Sequence, residues 1–263
     1  MIKIKKGILF VLTYFGFYPK QLVANLKGLI PFLFELKGFK KNFGKKYQDW
    51  TFSYYPIFLD KTDQSGKARG QYFYQDLHVS NLIYKANPKR HVDVGSRIDG
   101  FIAHLATFRA VDVIDIRPLE SDILNVKFHQ ADLMKPLGDF ENATDSLSCL
   151  HTIEHFGLGR YGDPIDIDGH IKGLNSLFQI LKPNGLFYFS TQIGPSKVAF
   201  NAHRVFSLSY LLSLFEANYS LENFSFIDDK DKLHVDVELT PEKIESNCGC
   251  RMGCGIFVLR KKS

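Results

Sequence analysis

Three side chains that could transfer protons lie close together in the chain, at His151, Glu154 and His155. A neutral imidazole near pH 7 is a suitable base for the proton of a weak nucleophile such as a hydroxyl group. The same His-x-x-Glu-His spacing occurs in zinc proteases, in which both histidines lie on one face of a helix. Residues 146–150 predict a strand that ends directly before His151. We therefore disfavour a zinc hydrolase, expect no catalytic metal and retain His155 as a candidate base.

A glycine turn provides a second candidate site, at His91 to Gly100. Residues 92–94 predict a short buried strand, and residues 101–106 follow the turn at helical spacing. A helix that begins after such a turn presents free N–H groups to a nucleotide. A phosphate-binding P-loop would need Lys and then Ser or Thr after Gly100. The chain has Phe101 and Ile102 there, which excludes a P-loop.

Two ligands remain for this turn. The dinucleotide fingerprint needs glycine at the position of Arg97, so an NAD-type site is disfavoured. S-adenosylmethionine (SAM) carries no phosphate and needs one close glycine contact and nearby acidic groups, such as Asp93. Asp115 ends the second predicted strand, where a carboxylate can accept hydrogen bonds from both ribose hydroxyls. Asp132 follows the third strand and could accept the adenine amino group or cap a loop.

These residues must be positioned by the surrounding elements, which alternate between strands and helices. Strands are predicted at residues 92–94, 111–116, 126–130, 146–150, 186–191, 221–227 and 255–260. Helices are predicted over residues 72–86 and 171–181 and after Ser207, which is expected to cap its helix. We therefore predict an α/β fold, a doubly wound, Rossmann-like sheet of seven mostly parallel strands. In such sheets ligands bind at the carboxyl ends of the strands, where the candidate acids and histidines lie.

The chain is similar to class I SAM-dependent methyltransferases in five successive motifs, in the same order and spacing: Val-Asp-Val-Gly-Ser (92–96), Val-Ile-Asp-Ile-Arg-Pro (113–118), Ala-Asp-Leu (131–133), Leu-His-Thr-Ile-Glu-His (150–155) and Leu-Lys-Pro-Asn-Gly-Leu (181–186). Two longer strings, at residues 157–164 and 200–207, resemble a bacterial family of unknown function within that superfamily. The resemblance covers residues 50–260. It departs from the superfamily at Arg97 and Asp99, where further glycines are usual.

The resemblance implies SAM as the cofactor, and ten residues of these motifs and of the glycine turn are expected to bind it: Asp93, Gly95, Ser96, Arg97, Gly100, Asp115, Ile116, Asp132, Leu133 and His151. It also implies that Glu154 and His155 face the methyl acceptor, with His155 as the first candidate base and His203 as the second. Three further residues could bind a polar acceptor or stabilise loops: Arg160, Asp163 and Arg204.

The N-terminal arm, residues 1–46, contains ten lysines and one glutamate, whereas the remaining residues sum to a negative charge. Apolar residues recur at helical spacing, and Gly28 and Pro31 predict a break into two helices. The arm could lie on the cytoplasmic face of a membrane or cover an open face of the domain formed by residues 47–263. It has no arginine and is strongly apolar, so we expect no nucleic-acid partner. No segment reaches the roughly 18 apolar residues of a membrane span.

Taken together, these features predict a SAM-dependent methyltransferase that modifies an oxygen of a saccharide or lipid-linked precursor. The alternatives are an NAD-type enzyme and a non-catalytic scaffold of the same fold. The four cysteines form no secreted disulfide pattern, which favours the cytoplasm. Cys248, Cys250 and Cys254 could bind zinc with His234, but they lack paired C-x-x-C spacing and are expected to stay reduced.

Overall fold

The computed structural model describes residues 11–66, 68–136 and 140–263. The lysine-rich residues 1–6 and the first part of the apolar stretch that follows them lie outside this range. The chain divides into two compact units between residues 66 and 68. The first unit contains the arm, and the second contains the sheet.

The first unit is built on one long helix, α1 (Pro19–Lys46), which continues through Pro31. The predicted break into two helices is therefore wrong. Pro31 cannot donate to the carbonyl of residue 27, but that part of the helix is exposed, so water can satisfy the carbonyl. Gly28 has a packing role, because a Cβ at this position would lie 2.5 Å from the Cβ of Phe58.

The aromatic residues that follow α1 pack back onto it. The rings of Phe43 and Phe52 are 5.2 Å apart, and those of Phe32 and Phe58 are 5.6 Å apart. Lys40 Nζ donates to the hydroxyl of Tyr54 at 2.7 Å. The predicted boundary after residue 46 therefore falls inside the first unit, because these contacts tie residues 47–58 to the helix.

The second unit begins with α2 (Gln71–Ala86), which ends at Asn87 in a left-handed conformation. The sheet strands are β1 (His91–Val94), β2 (Val111–Asp115), β3 (Val126–Gln130), β4 (Thr144–Leu150), β5 (Leu181–Ile193), β8 (Tyr219–Ile227), β9 (Leu233–His234) and β10 (Gly253–Lys261). A separate hairpin is formed by β6 (Lys197–Ala199) and β7 (His203–Val205). The longer helices are α4 (Gly169–Ile180) and α5 (Leu208–Phe215), and the short ones are α3 (Ala103–Ala106) and α6 (Pro241–Glu245).

The sheet order is β3-β2-β1-β4-β5-β10-β8-β9. Strands β1 to β5 are parallel, and β10 and β8 run antiparallel to their neighbours. This confirms the predicted doubly wound, mostly parallel fold. Within the described residues the sheet has eight strands rather than seven, because the two-residue β9 pairs with the end of β8. Ser207 caps α5 as predicted, since its Oγ accepts from the N–H of Tyr210.

Helices cover both faces of the sheet. Leu147, Phe187 and Phe189 are fully buried in one apolar cluster with residues of α4 and α5. Val113 and Ile256 are buried in a second cluster with residues of α2 and α3. Each such side chain contributes about 1.5–3 kcal/mol by leaving water. The carboxyl ends of the parallel strands are thus held rigidly at one edge. Among the described helices, none is both long and apolar enough to cross a membrane.

Candidate functional site

A cavity opens at the carboxyl ends of β1, β2, β3 and β4. Eight of the residues proposed from the sequence line it: Gly95, Asp115, Ile116, Asp132, Leu133, His151, His155 and Asp163. Ser96 and Arg97 line an adjoining depression, which shares Asp115 and Arg117 with the cavity. The sheet therefore brings together side chains that are as far apart as positions 95 and 163, as expected for strand ends of a parallel sheet.

The turn after β1 depends on Gly95, whose φ is +71°. A Cβ there would also lie 2.3 Å from Cγ2 of Thr152, so a larger residue cannot fit without displacement. Below the turn, Asp93 Oδ2 accepts the N–H of Ser96 at 3.0 Å. Asp93 Oδ1 accepts the hydroxyls of Ser96 at 2.7 Å and Ser148 at 2.5 Å.

Asp93 is fully buried and does not line the cavity. Its predicted direct contact with the cofactor is therefore not supported, because its carboxylate is occupied in shaping the turn. Burial raises the pKa of Asp93 to about 7, although hydrogen bonds from Ser148 and Ser96 act in the opposite direction.

The sequence analysis missed the buried residue that continues this network, His91. Ser148 donates its hydrogen to Asp93, so His91 Nε2 must carry the hydrogen that Ser148 Oγ accepts at 3.0 Å. His91 Nδ1 then accepts from the hydroxyl of Ser146 at 2.8 Å. Burial lowers the pKa of His91 to about 3, so the ring is neutral. The polar alternation of Ser146 and Ser148 along an otherwise apolar strand was the signal available for this network.

The remaining part of the turn differs from the predicted helix start. Residues Ile98–Ile102 form a π-helical turn, and regular α-helix begins only at Ala103. A Cβ at Gly100 would lie 2.7 Å from Asp76 Oδ2, so this glycine makes room for a carboxylate of α2 rather than for a ligand. Arg97 pairs with Asp99 at 2.8 Å, and its guanidinium lies 5.5 Å from the centre of the Tyr72 ring.

At the end of β2, Asp115 is paired with Arg117, a residue that the sequence analysis did not select. Asp115 Oδ1 accepts from the backbone N–H of Arg117 at 2.8 Å and from its Nε at 3.0 Å. Asp115 Oδ2 accepts from Arg117 Nη2 at 2.6 Å. The guanidinium lies 4.5 Å from the centre of the Tyr161 ring. A ribose bound at Asp115 would therefore have to replace Arg117.

At the end of β3, Asp132 has one oxygen in use and one available. Oδ1 accepts the N–H of Met134 at 2.9 Å, as in a loop cap. Oδ2 is buried and makes no hydrogen bond with any described residue. Its nearest cation is the exposed Lys135, whose Nζ is 3.5 Å away. A buried carboxylate oxygen without a donor is costly, and a ligand amino group could satisfy it.

His151 and Glu154 form a buried pair directly after β4. His151 has a φ of +49° and points Nδ1 at Glu154 Oε1, 2.8 Å away. Glu154 Oε2 accepts the hydroxyl of Thr191 at 3.2 Å. Burial by itself would lower the pKa of His151, but the nearby Cys254 and Glu154 raise it well above its usual range. Burial opposes ionisation of Glu154, but its pKa is lowered by His151. Glu154 does not line the cavity, so the expectation that it faces the acceptor is not supported, and its contact with the cavity wall is through His151.

His155 lies in a short 3₁₀ turn, Ile153–His155, and lines the cavity. Its Nδ1 is 2.6 Å from the carbonyl oxygen of Ala202, and because a carbonyl only accepts, Nδ1 carries the hydrogen. Nε2 then has a free lone pair and makes no hydrogen bond within the described part of the chain. Burial lowers the pKa of His155, and the cation of Arg160 acts in the same direction. His155 is therefore a neutral imidazole with a basic nitrogen.

The other proposed acceptor residues take different places. Asp163 Oδ2 accepts the N–H groups of Gly157 at 2.8 Å and Gly159 at 3.2 Å, which fixes the loop they belong to. Arg204 is buried and donates to the carbonyls of Phe156 at 2.6 Å and Ile167 at 3.3 Å. Asp163 and Arg204 therefore stabilise loops, which was the predicted alternative to binding a polar acceptor. His203 lies in β7 and does not line the cavity.

Within the described residues, no group of three or more histidines, cysteines and acids is arranged to hold a metal ion. Cys248, Cys250 and Cys254 are reduced, and His234 pairs with Asp228 at 3.0 Å instead of facing them.

Solved structures with the same architecture include enzymes of more than one kind. The [4+2]-cyclase SpnF is similar with a TM-score of 0.53 and 14% identity over 75% of this chain and 86% of SpnF. The 1,6-didemethyltoxoflavin-N1-methyltransferase of Burkholderia thailandensis, solved with S-adenosylhomocysteine, has a TM-score of 0.50 and 16% identity over 72% of this chain and 79% of its own. At these identities the similarity establishes the fold and not the reaction.

Sequence comparisons give the family. A search of the curated proteins finds no match. A family model matches residues 111–262, from β2 to the end of β10, which is more than half of the chain. Its description names Caenorhabditis, so the bacterial origin expected from the resemblance is not supported. The chain belongs to the family described as "Caenorhabditis protein of unknown function, DUF268".

Proposed function

We propose that this chain is a SAM-dependent methyltransferase that transfers a methyl group to an oxygen atom. One observation carries the proposal: a single cavity contains both Asp132 Oδ2, which accepts no hydrogen bond from a described residue, and the neutral base His155. The first is suited to an adenine amino group, and the second to a hydroxyl nucleophile.

The residues around the cavity fit SAM better than a phosphate-bearing cofactor. Asp132 Oδ2 suits an amino group, and Asp115 would suit ribose hydroxyls in place of the Arg117 side chain that pairs with it. Arg97 stands where the dinucleotide fingerprint requires glycine, which disfavours a pyrophosphate at this turn. The solved methyltransferase of the same fold contains the SAM product S-adenosylhomocysteine, which supports this choice.

Bound SAM would supply a methyl group on a sulfonium sulfur, and cleavage of that sulfur–carbon bond would leave its electron pair on sulfur as a neutral thioether. The chain's contribution is to hold the acceptor hydroxyl beside His155 Nε2. As the new oxygen–carbon bond forms, the hydroxyl proton passes to Nε2, and the resulting imidazolium keeps its Nδ1–H bond to the Ala202 carbonyl. We keep His203 and Glu154 as further proposed residues of the part of the site that would hold the methyl acceptor. Burial lowers the pKa of His203, and the charge of Glu154 acts in the opposite direction.

We further propose that the acceptor is a saccharide or lipid-linked precursor of a polysaccharide, modified at the cytoplasmic face of a membrane. Apolar residues of α1 recur on one face and are more than one-third exposed: Leu22, Leu26, Leu29, Ile30 and Leu33. The second half of the helix contributes a cluster of lysines: Lys37, Lys40, Lys41, Lys45 and Lys46. Apolar insertion with lysine–lipid attraction would explain this combination.

Calorimetric titration of the full chain with S-adenosylhomocysteine, and separately with NAD, tests the cofactor. We expect saturable binding of S-adenosylhomocysteine and none of NAD. Asp132→Asn replaces one acceptor oxygen by a donor and should weaken binding about tenfold, a value typical of one lost hydrogen bond to a charged group. Binding of NAD alone would favour the dehydrogenase-like alternative, and binding of neither would favour the scaffold.

A further inference from the structure

One buried donor on the cavity wall lacks a partner. His151 Nε2 is buried and makes no hydrogen bond with a described residue, while its Nδ1–H is used by Glu154. The Cys254 thiol lies near the ring, where its sulfur is a weak acceptor, and it donates its hydrogen to Gln75 Oε1 at 3.4 Å. The pKa of His151 lies well above its usual range, because Cys254 and Glu154 outweigh the opposing effect of burial. Because Nδ1 is used by Glu154, the second hydrogen of a cationic His151 lies on Nε2, which faces the cavity and makes no well-formed hydrogen bond with a described residue.

An exposed cation, Arg160, stands beside the same site. Arg160 Nη1 donates to the carbonyl of Ala202 at 3.0 Å and lies 3.3 Å from His155 Nδ1. Its guanidinium also lies 5.1 Å from the centre of the Tyr161 ring. It forms no ion pair with a described carboxylate, and its remaining N–H groups have no protein acceptor there. A guanidinium with open N–H groups is the side chain best suited to bidentate binding of an anion.

The charges around His155 are unbalanced. The charges of Glu154, Arg160 and His151 all affect the pKa of His155. The same three residues affect the pKa of the nearby His203. Glu154 is already committed to His151 and Thr191. The carboxylate of Asp163, the other acid of this loop, is saturated by backbone N–H groups. The acceptor side of the cavity is therefore rich in donors and short of acceptors.

We propose that the methyl acceptor carries an anionic oxygen group, a carboxylate or a phosphate, bound by Arg160 and His151 next to His155. The inference rests on the proposed function and narrows its acceptor to acidic compounds. Anchoring by these two donors would keep a neighbouring hydroxyl near His155 Nε2. An acidic or phosphorylated sugar meets this requirement, whereas the hydroxyls of a neutral sugar could accept from these donors but would not neutralise their positive charge.

The test uses the full chain labelled with ¹⁵N at histidine, whose side-chain resonances report on His151 and His155 directly. Inorganic phosphate and acetate are titrated separately, at ionic strength held constant with chloride, in the presence of saturating S-adenosylhomocysteine. We expect at least one of the two anions to shift both histidines saturably, and the two titrations distinguish phosphate from carboxylate.

Variants identify the donors. Arg160→Gln removes an exposed cation, and His151→Asn keeps a residue type that tolerates positive φ. Each should weaken anion binding about tenfold, because a charge-assisted hydrogen bond is lost. Lys182→Gln is the matched control, since Lys182 is an exposed cation at the start of β5, the opposite edge of the sheet.

Three results would overturn the inference. The first is no saturable shift with either anion, and the second is equal weakening by Lys182→Gln. In the third, Arg160→Gln weakens binding of S-adenosylhomocysteine but not of adenosine, which would assign these donors to the cofactor's own carboxylate. Anion binding without any binding of S-adenosylhomocysteine would instead refute the proposed function and leave the anion site standing.

Discussion

Two histidines four positions apart acquire opposite properties from their surroundings. His151 lies beside an ionised carboxylate that stabilises its cation, whereas His155 donates to a backbone carbonyl and has a cation beside it. Separation of pKa values between neighbouring groups is how active sites divide acid and base roles. The same two residues would be equivalent members of a zinc motif if they lay on one helix, but the strand that precedes His151 prevents this.

The protonation state of His155 can be measured directly. We expect its ¹⁵N spectrum to show a neutral ring protonated at Nδ1 at pH 7 and a pKa below 6.5, because burial disfavours the cation. Arg160→Gln should raise this pKa, since a nearby positive charge is removed. Lys182→Gln, far from the ring, should leave it unchanged. A ring that is already cationic at pH 7 would exclude His155 as the base.

Sequence patterns located the correct strand ends but could not show which side chains reach the cavity. Asp93 and Asp115 both belong to strands, yet one is turned beneath the glycine turn and the other lines the cavity. Spacing alone does not reveal that Arg117 occupies the carboxylate of Asp115. Nor does it reveal Ala202, whose contribution is a backbone carbonyl that any residue type would provide.

At the level of elements, the alternation of strands and helices was sufficient to predict the sheet. The β6–β7 hairpin escaped prediction because each strand has three residues and no strong alternation. It is nevertheless the element whose turn places the carbonyl of Ala202 beside His155. For α1 the sequence predicted a break that the structure does not have. The exposed Pro31 does not end the helix, although the low helix propensity of proline suggested that it would.

The turn after β1 is the element most sensitive to substitution. Gly95→Ala should destabilise the fold by about 1–3 kcal/mol, because it combines a positive φ with a Cβ 2.3 Å from Thr152 Cγ2. It should also weaken binding of S-adenosylhomocysteine. Urea denaturation and calorimetry measure the two effects.

Two further variants separate the causes. Adding Thr152→Ala to Gly95→Ala removes the clash but not the backbone strain, so we expect partial recovery of stability. Gly66→Ala is the control, since a Cβ at Gly66 would have no neighbour within 4 Å. If Gly95→Ala were as stable as Gly66→Ala, the turn would not have the geometry described above.

At the scale of the whole molecule, the candidate site and the excess of lysines belong to different units. The candidate site lies in the second unit, and the family match at residues 111–262 lies within it as well. The lysine-rich helix belongs to the first unit. A methyltransferase that acts on a small diffusing acceptor has no need for such a helix. A membrane-bound acceptor would account for the lysine-rich helix. Because the helix and the candidate site lie in different units, membrane binding can be tested separately from catalysis.

Vesicle binding by the full chain tests the arm. We expect the protein to sediment with vesicles containing phosphatidylglycerol more than with neutral phosphatidylcholine, and less as salt is raised, because lysine–lipid attraction is screened over about 10 Å. Leu26→Asp places a charge on the exposed apolar face of α1 and should reduce binding to both kinds of vesicle. Leu124→Asp makes the same change at an 85% exposed leucine of the second unit and should have no effect. Equal sedimentation of the two variants would mean that α1 is not the membrane-binding element, while leaving binding of S-adenosylhomocysteine and the candidate site untouched.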